Sequence, residues 1–195
     1  MISKRKSTEK YTYSDYLQWP DDERWELIDG KPYNMSPAPS TKHQRVALRF
    51  GSFFDLLLQG KSCVAFVAPT DVVLSEYDVV QPDAFVVCDR SKIKDKNIQG
   101  APDLVIEVLS GHTAKKDRWD KKYLYKKYGV REYLIVDPEG LYAERYLLTE
   151  ERRFDRGQVF DSQETLTLKS LESVEINLWE IFEVKREDAS PPLES

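Results

Sequence analysis

The sequence predicts a mixed α/β fold in which a central β-sheet is flanked by helices. Three observations predict it. The length of 195 residues suits one domain with a sizeable core. Hydrophobic residues make up 41% of the chain, as is typical of folded proteins. Short apolar runs typical of strands also alternate along the chain with segments in which apolar residues recur at helical spacing. Without an internal repeat or long linker, we expect a single domain over residues 11–185, between disordered tails at 1–10 and 186–195.

The first half of the chain is predicted to hold a helix, a hairpin, a longer helix and strands. A short helix is expected at 13–19, with Ser14 as its N-cap. Asp29-Gly30 predicts the turn of a hairpin. Ser40 or Thr41 caps the longer helix, which Gly60 ends. The hairpin covers residues 25–34, and the strands are expected at 62–68, 70–75 and 79–88, the last interrupted by Pro82.

The second half follows a charged loop at 89–100. An apolar run at 104–109, broken only by Glu107, predicts a strand buried on both faces. A helix is expected over 111–128, ending at Gly129. Two strands at 132–136 and 141–148 and a closing segment at 165–184 complete the domain.

Charge and cysteine content bound the function. A net charge of −5 is unusual for a nucleic-acid binder, but acidic metal sites coexist with local basic patches. Cys63 and Cys88 lie in apolar runs, so we expect them to be buried free thiols. The sequence contains no CxxC pair, so a structural zinc site is not expected. The N-terminal residues are charged, and no apolar run reaches membrane-spanning length. A cytoplasmic location and no membrane contact are therefore expected.

Two carboxylates lie in apolar runs that should not tolerate them. Glu107 carries a desolvation penalty unless it is paired or binds a cation. For Glu107 alone, pairing with a nearby Lys or Arg is an equally good interpretation, and Asp83 alone fits a turn beside Pro82. Together, on two neighbouring strands, they suggest a shared cation. Their oxygens suit Mg²⁺ or Mn²⁺.

A lysine accompanies these carboxylates on the next helix. Helical spacing places Asp117 and Lys121 on the apolar face, which should face the sheet. Lys122 falls on the other, solvated face. The alternative for Lys121 is a stem that runs along the sheet edge to solvent. With Asp83 and Glu107 holding a cation, the Lys121 ammonium can position a water or neutralise phosphate charge.

These residues lie in longer motifs that resemble those of the Uma2 family, a group placed in the PD-(D/E)XK nuclease superfamily. The motifs are Gln81-Pro82-Asp83, the segment 103–110 around Glu107, Asp117-Arg118-x-x-Lys121-x-x-x-Tyr125, and the segment 129–138. The resemblance spans about residues 13–182. It implies a restriction-endonuclease-like fold and a Mg²⁺- or Mn²⁺-dependent endonuclease acting on DNA, with Asp83, Glu107 and Lys121 as catalytic residues and the two carboxylates as metal ligands.

The chain departs from the parent motif at one position. The superfamily has a lysine two residues beyond the glutamate, where this chain has Leu109, and the resemblance implies that Lys121 replaces it. It also implies further site roles for Glu26 and His43, as metal contacts or orienting groups, and adds Asp117 to the candidate site residues. Taken alone, Glu26 fits a surface strand and His43 a solvated or helix-packing position.

Three functions remain open from the sequence. The leading hypothesis is hydrolysis of DNA phosphodiester bonds. The alternative is a non-catalytic nucleic-acid-binding or interaction module that keeps the nuclease fold, and the third is hydrolysis of another phosphate-containing substrate. Because cutting both strands of a duplex needs two active sites, a homodimer is expected. Its contact is predicted at the edge of the final hairpin or near Trp179 and Phe182.

Overall fold

The computed structural model describes residues 10–20, 22–35, 38–110 and 117–187, so most of both predicted tails lies outside the described residues. Within these ranges the chain forms a mixed α/β fold, as predicted. The strands are β1 Trp25–Ile28, β2 Lys31–Asn34, β3 Val64–Val67, β4 Val72–Ser75, β5 Asp78–Val80, β6 Ala84–Val87, β7 Ile98–Gln99, β8 Leu104–Val108, β9 Glu132–Asp137, β10 Tyr142–Leu147, β11 Gln158–Asp161, β12 Thr165–Leu168 and β13 Val174–Asn177. The α-helices are α1 Tyr13–Tyr16, α2 Thr41–Leu57, α3 Lys122–Tyr128 and α4 Leu178–Ile181.

The larger sheet has six strands in the order β11-β10-β9-β8-β6-β3. Its central pair, β8 and β9, is parallel, and the other neighbours are antiparallel. All five residues of β8 are buried, which confirms the prediction that this strand is covered on both faces. The smaller sheet has five strands in the order β2-β1-β5-β4-β7, and β12 pairs with β13 in a separate hairpin.

The single strand predicted at 79–88 is in fact two strands in different sheets. β5 pairs with β1 and β4 in the smaller sheet, whereas β6 pairs with β3 and β8 in the larger one. Pro82 lies at the break, because proline has no N–H for a ladder and a fixed φ. The Asp29-Gly30 turn joins β1 to β2 as predicted, with both residues in the left-handed region at φ of 50° and 70°.

The N-cap predicted for α1 needs correction. Thr12, not Ser14, caps α1, because the Thr12 side chain accepts from the Asp15 N–H and Asp15 returns a bond to the Thr12 N–H. The helix predicted over 111–128 is described only from Asp117, where a π-helical turn, Asp117–Lys121, leads into α3. Gly129 ends α3 with φ of 84°, as predicted.

The larger sheet is covered on both faces. One core contains Val46, Phe50 and Phe54 of α2 and the C-terminal segment, while the other contains Leu124 and Tyr125 of α3 together with the smaller sheet. Ile106 and Val108 face the α2 side, whereas Val105 faces the α3 side. By strand alternation Glu107 therefore points towards α3.

The C-terminal segment covers the core. Ile181 and Phe182 are 3% and 9% exposed and pack in the core under α2. The Trp179 ring lies 4.5 Å from the guanidinium carbon of Arg186. Phe182 therefore belongs to the core of its own chain.

The cysteines are not free thiols, contrary to expectation. Val64 and Val87 are partners in the β3–β6 ladder, so Cys63 and Cys88 are the next pair along it, and they form a disulfide.

Among the helices of the described ranges, none is both long and apolar enough to cross a membrane.

Candidate active site

Lys121 lies between two buried glutamates. Its Nζ is 2.8 Å from Glu107 Oε1 and 2.7 Å from Glu26 Oε1. The three side chains are at most 3% exposed. The periodicity argument that turned Lys121 towards the sheet is therefore confirmed, and Lys121 is not a lysine that reaches along the edge to solvent.

Tyr125 is a fourth member of this cluster. It lies one turn after Lys121 on the same helical face, and its OH donates to Glu107 Oε1 at 2.6 Å. The sequence placed Tyr125 on the apolar stripe but did not assign it a polar role. The sequence feature that indicates this role is the spacing of four residues between Lys121 and Tyr125, which brings the Tyr125 hydroxyl to the same carboxylate.

Glu26 belongs to the other sheet and reaches the site from β1. It is 0% exposed, so the surface-strand alternative for Glu26 is wrong. The Gln81 N–H donates to Glu26 Oε1 at 3.2 Å. The Gln81 side chain is fixed in turn, because it accepts from the Arg24 guanidinium and donates to Asp71. Glu26 thus ties the smaller sheet to the Lys121 helix.

Asp83 lies at the entry to β6, next to the strand that carries Glu107. It directly precedes Ala84, and Ala84 is paired with Ile106, the residue before Glu107. Asp83 Oδ2 accepts from the Val108 N–H at 2.8 Å. At 16% side-chain exposure, Asp83 is the carboxylate of this region that solvent reaches most easily. Asp83 was predicted within a strand, but it lies one residue before β6, which neighbours β8.

His43 reaches Asp83 from the first turn of α2. Its Nε2 lies 3.2 Å from Asp83 Oδ2, and its side chain is 6% exposed. His43 Nδ1 is buried and has no hydrogen-bond partner in the described ranges. A solvated His43 is excluded, and a nitrogen left without a bond at a buried position is an available ligand or acceptor.

The structure thus groups most of the predicted site residues. Lys121 contacts Glu107 as predicted, but the second carboxylate it touches is Glu26 rather than Asp83. The Asp117 side chain lies outside the described residues. Lys122 was expected on a solvated face, whereas it is half-buried with its Nζ 3.3 Å from the centroid of the Tyr146 ring.

Oxygen ligands for a divalent cation would come from the carboxylates of this region. Glu26 and Glu107 share one lysine ammonium, whereas the Asp83 carboxylate lies against His43. Within the ranges described, three or more His, Cys, Asp or Glu side chains nowhere form a ready metal cluster. A cation here would therefore depend on Asp83 and Glu107 and on water, as suits Mg²⁺, which commonly binds through one or two carboxylates.

A second buried carboxylate anchors the far end of α3. Asp78 is 1% exposed and accepts hydrogen bonds from Tyr128 OH at 2.5 Å, Lys127 Nζ at 3.2 Å and the Asp29 N–H at 2.7 Å. Burial alone would raise the pKa of Asp78, but hydrogen bonds, first from Tyr128, outweigh it and hold that pKa below its ordinary value. The helix is thus fixed to the smaller sheet at both ends, by Glu26 and Asp78.

The fold and the carboxylate–lysine cluster define a restriction-endonuclease-like protein. The structure matches the crystal structure of a protein from Anabaena variabilis described as "a putative nuclease belonging to DUF820", with a TM-score of 0.73 and 19% identity over 88% of this chain and 97% of that one. This match confirms the predicted fold class.

The chain belongs to the Uma2 family, described as "Putative restriction endonuclease", whose model matches residues 13–178. A relative is an uncharacterized protein from Synechocystis sp., 29% identical over 141 residues, which are 70% of this chain and 74% of the relative. The family match covers all four residues of the Glu26–Glu107–Lys121–Tyr125 cluster as well as Asp83 and His43.

Proposed function

We propose that this protein is a Mg²⁺- or Mn²⁺-dependent endonuclease that hydrolyses phosphodiester bonds in DNA. The observation that carries the proposal is the contact of Lys121 with Glu107, beside Asp83 at the entry to the adjacent strand. Two carboxylates can hold a metal ion, and a lysine ammonium can stabilise the negative charge that develops on a phosphate. Membership of a family described as restriction endonucleases supports the substrate class.

Each residue has a defined task in this proposal. Asp83 and Glu107 hold the cation, and Asp83 provides the side open to solvent. When bound, such a cation polarises the phosphodiester and acidifies a water. Lys121 offers its ammonium to the charge that builds on the phosphate oxygens, provided that the phosphate can approach it.

The remaining residues hold these groups in position. Glu26 orients the Lys121 ammonium through the 2.7 Å contact. Tyr125 restrains Glu107, since its hydroxyl donates to the same oxygen that Lys121 contacts. His43 restrains Asp83 through Nε2 and keeps Nδ1 available for water or the cation.

One observation favours a second candidate, a non-catalytic nucleic-acid-binding module with the same fold. Glu26, Glu107 and Lys121 are at most 3% exposed, as expected for a structural ion pair. Under this alternative, Lys121 serves the fold alone, and the protein binds nucleic acid without cutting it.

Incubation with supercoiled plasmid and with single-stranded DNA, with and without Mg²⁺ or Mn²⁺, tests the proposal. We expect cleavage only with the metal, and its loss in Glu107→Gln, which keeps the shape of the side chain but removes its charge. Glu175→Gln is the matched control, because Glu175 is an exposed glutamate on strand β13. Binding without cleavage at any metal concentration would support the non-catalytic module.

We also propose that the protein acts as a homodimer, because a single site cuts one strand at a time. β11 is an edge strand of the six-stranded sheet, and its Val159 is 64% exposed. An exposed edge strand with an apolar outward side chain is suited to pairing with a second copy. This contact replaces the one near Phe182 that the sequence suggested.

A further inference from the structure

The helix that turns Lys121 inward exposes two aromatic rings on its other side. Trp119, in the π-helical turn, is 72% exposed, and Tyr123, in α3, is 61% exposed. The two are four residues apart and so lie near one another on the helix surface. Large exposed aromatic side chains in close succession are characteristic of interaction surfaces.

The same segment is basic although the chain is acidic. Residues 117–128 contain five lysines and arginines and two aspartates in a chain of net charge −5. Lys121 is buried against Glu26 and Glu107, so Lys122 and Lys126 supply the positive charge on the outer side of the helix. Lys126 Nζ lies 4.7 Å from the centroid of the Tyr123 ring, and Lys122 Nζ lies over the Tyr146 ring. Positive charge is thus interleaved with aromatic surface on one face of the helix.

We propose that Trp119, Lys122, Tyr123 and Lys126 form a face that binds single-stranded nucleic acid; we name it the aromatic–lysine face. Unpaired bases stack on Trp119 and Tyr123, and the lysines contact the phosphates between them. Every base offers a π-face, so stacking of this kind accepts an unpaired strand of any sequence. A paired duplex offers such faces only at its ends. The purpose of this face rests on the proposed nuclease function, because it would lead a strand towards the cluster on the inner side of the same helix.

Charge favours nucleic acid over a second copy of the chain as the occupant. A two-fold contact centred on this face would bring the basic segment of one copy against the same segment of the other, and like charges would repel. Phosphates complement the segment instead. Asp120 is exposed next to Trp119 and reduces the attraction locally, which leaves the lysines beyond it as the principal phosphate contacts.

Binding of a fluorescein-labelled, unpaired oligonucleotide of about 16 nucleotides, followed by fluorescence anisotropy in EDTA, tests the proposal. Stacking on an aromatic side chain is worth roughly a five- to one-hundred-fold change in Kd. We expect Kd to rise at least five-fold in Trp119→Ala/Tyr123→Ala and to stay near the wild-type value in Trp119→Phe/Tyr123→Phe. The control is Leu48→Ala/Leu56→Ala, which removes two exposed apolar side chains from α2. Circular dichroism melts check that each variant folds.

The lysines give an independent measurement. Replacing Lys122 and Lys126 by Gln should lower the slope of log Kd against log salt concentration by about 1.4, since each phosphate contact to a single strand contributes about 0.7. Lys61→Gln/Lys169→Gln, which changes two exposed lysines elsewhere, should leave the slope unchanged.

Three results would overturn the proposal. They are wild-type affinity in Trp119→Ala/Tyr123→Ala, tighter binding of a blunt duplex than of the unpaired strand, and a wild-type dimer that becomes monomeric in this variant with unchanged oligonucleotide affinity. The assay contains no metal, so it does not depend on hydrolysis. A protein that binds through this face but never cleaves DNA would refute the proposed nuclease and keep the inference, whereas a cleaving protein that ignores these substitutions would refute the inference alone.

Discussion

Replacing Lys121 by Met should destabilise the protein strongly. The substitution keeps an unbranched side chain of similar length, so little cavity forms. It removes the ammonium that lies 2.7 and 2.8 Å from two buried carboxylates. With an effective dielectric constant of about 20, each contact is worth about 6 kcal/mol of Coulomb attraction, most of it offset by desolvation. Breaking such a buried pair by removing one partner costs about 3–5 kcal/mol in the free energy of unfolding.

Urea unfolding of the wild type and Lys121→Met measures this change. Lys122→Met is the matched control: it loses the contact with the Tyr146 ring, and we expect a cost of about 1 kcal/mol. The double variant Lys121→Met/Glu26→Gln should be more stable than Lys121→Met, because it removes one of the two stranded charges. Equal stabilities for Lys121→Met and Lys122→Met, or a loss below about 1 kcal/mol in both, would refute the buried ion-pair account.

Three further predictions concern the surroundings of the site. The folded-state pKa of Asp78 lies below its ordinary value of 3.8, so its stabilising effect is present above that pH and is lost as pH falls through the folded pKa. Thermal melts should therefore show wild type losing its advantage over Asp78→Asn only in acid below about pH 4, and an advantage that is already lost near neutral pH would contradict this. Tyr125→Phe removes the 2.6 Å hydrogen bond to Glu107 and should cost about 1.5–3 kcal/mol in urea unfolding, with no change in oligonucleotide affinity; an unchanged unfolding midpoint would argue against the bond. Val159→Lys on the β11 edge should convert a sedimenting dimer to a monomer, and a wild type that is monomeric at high concentration would remove the dimer proposal.

The sequence predicted the strand that carries Glu107 and the inward direction of Lys121, because a lone acid in an apolar run and a 3.6-residue periodicity are local signals. It did not predict that Glu26 would be buried against Lys121. That contact depends on how the smaller sheet packs on α3, and a four-residue strand carries no information about such packing. The split at Pro82 had a visible local cause, but assigning β5 and β6 to different sheets required their partners. The Cys63–Cys88 disulfide likewise follows from the register of β3 on β6, which composition does not determine.

The most direct test of the central claim is a calorimetric titration of the protein with Mn²⁺ and Mg²⁺. The account predicts one site per chain in the wild type. It predicts greatly weakened binding in both Asp83→Asn and Glu107→Gln, because the two carboxylates share the cation, and wild-type binding in the exposed control Glu175→Gln. Binding that survives both substitutions, or no binding by the wild type at millimolar metal, would contradict a cation held between Asp83 and Glu107.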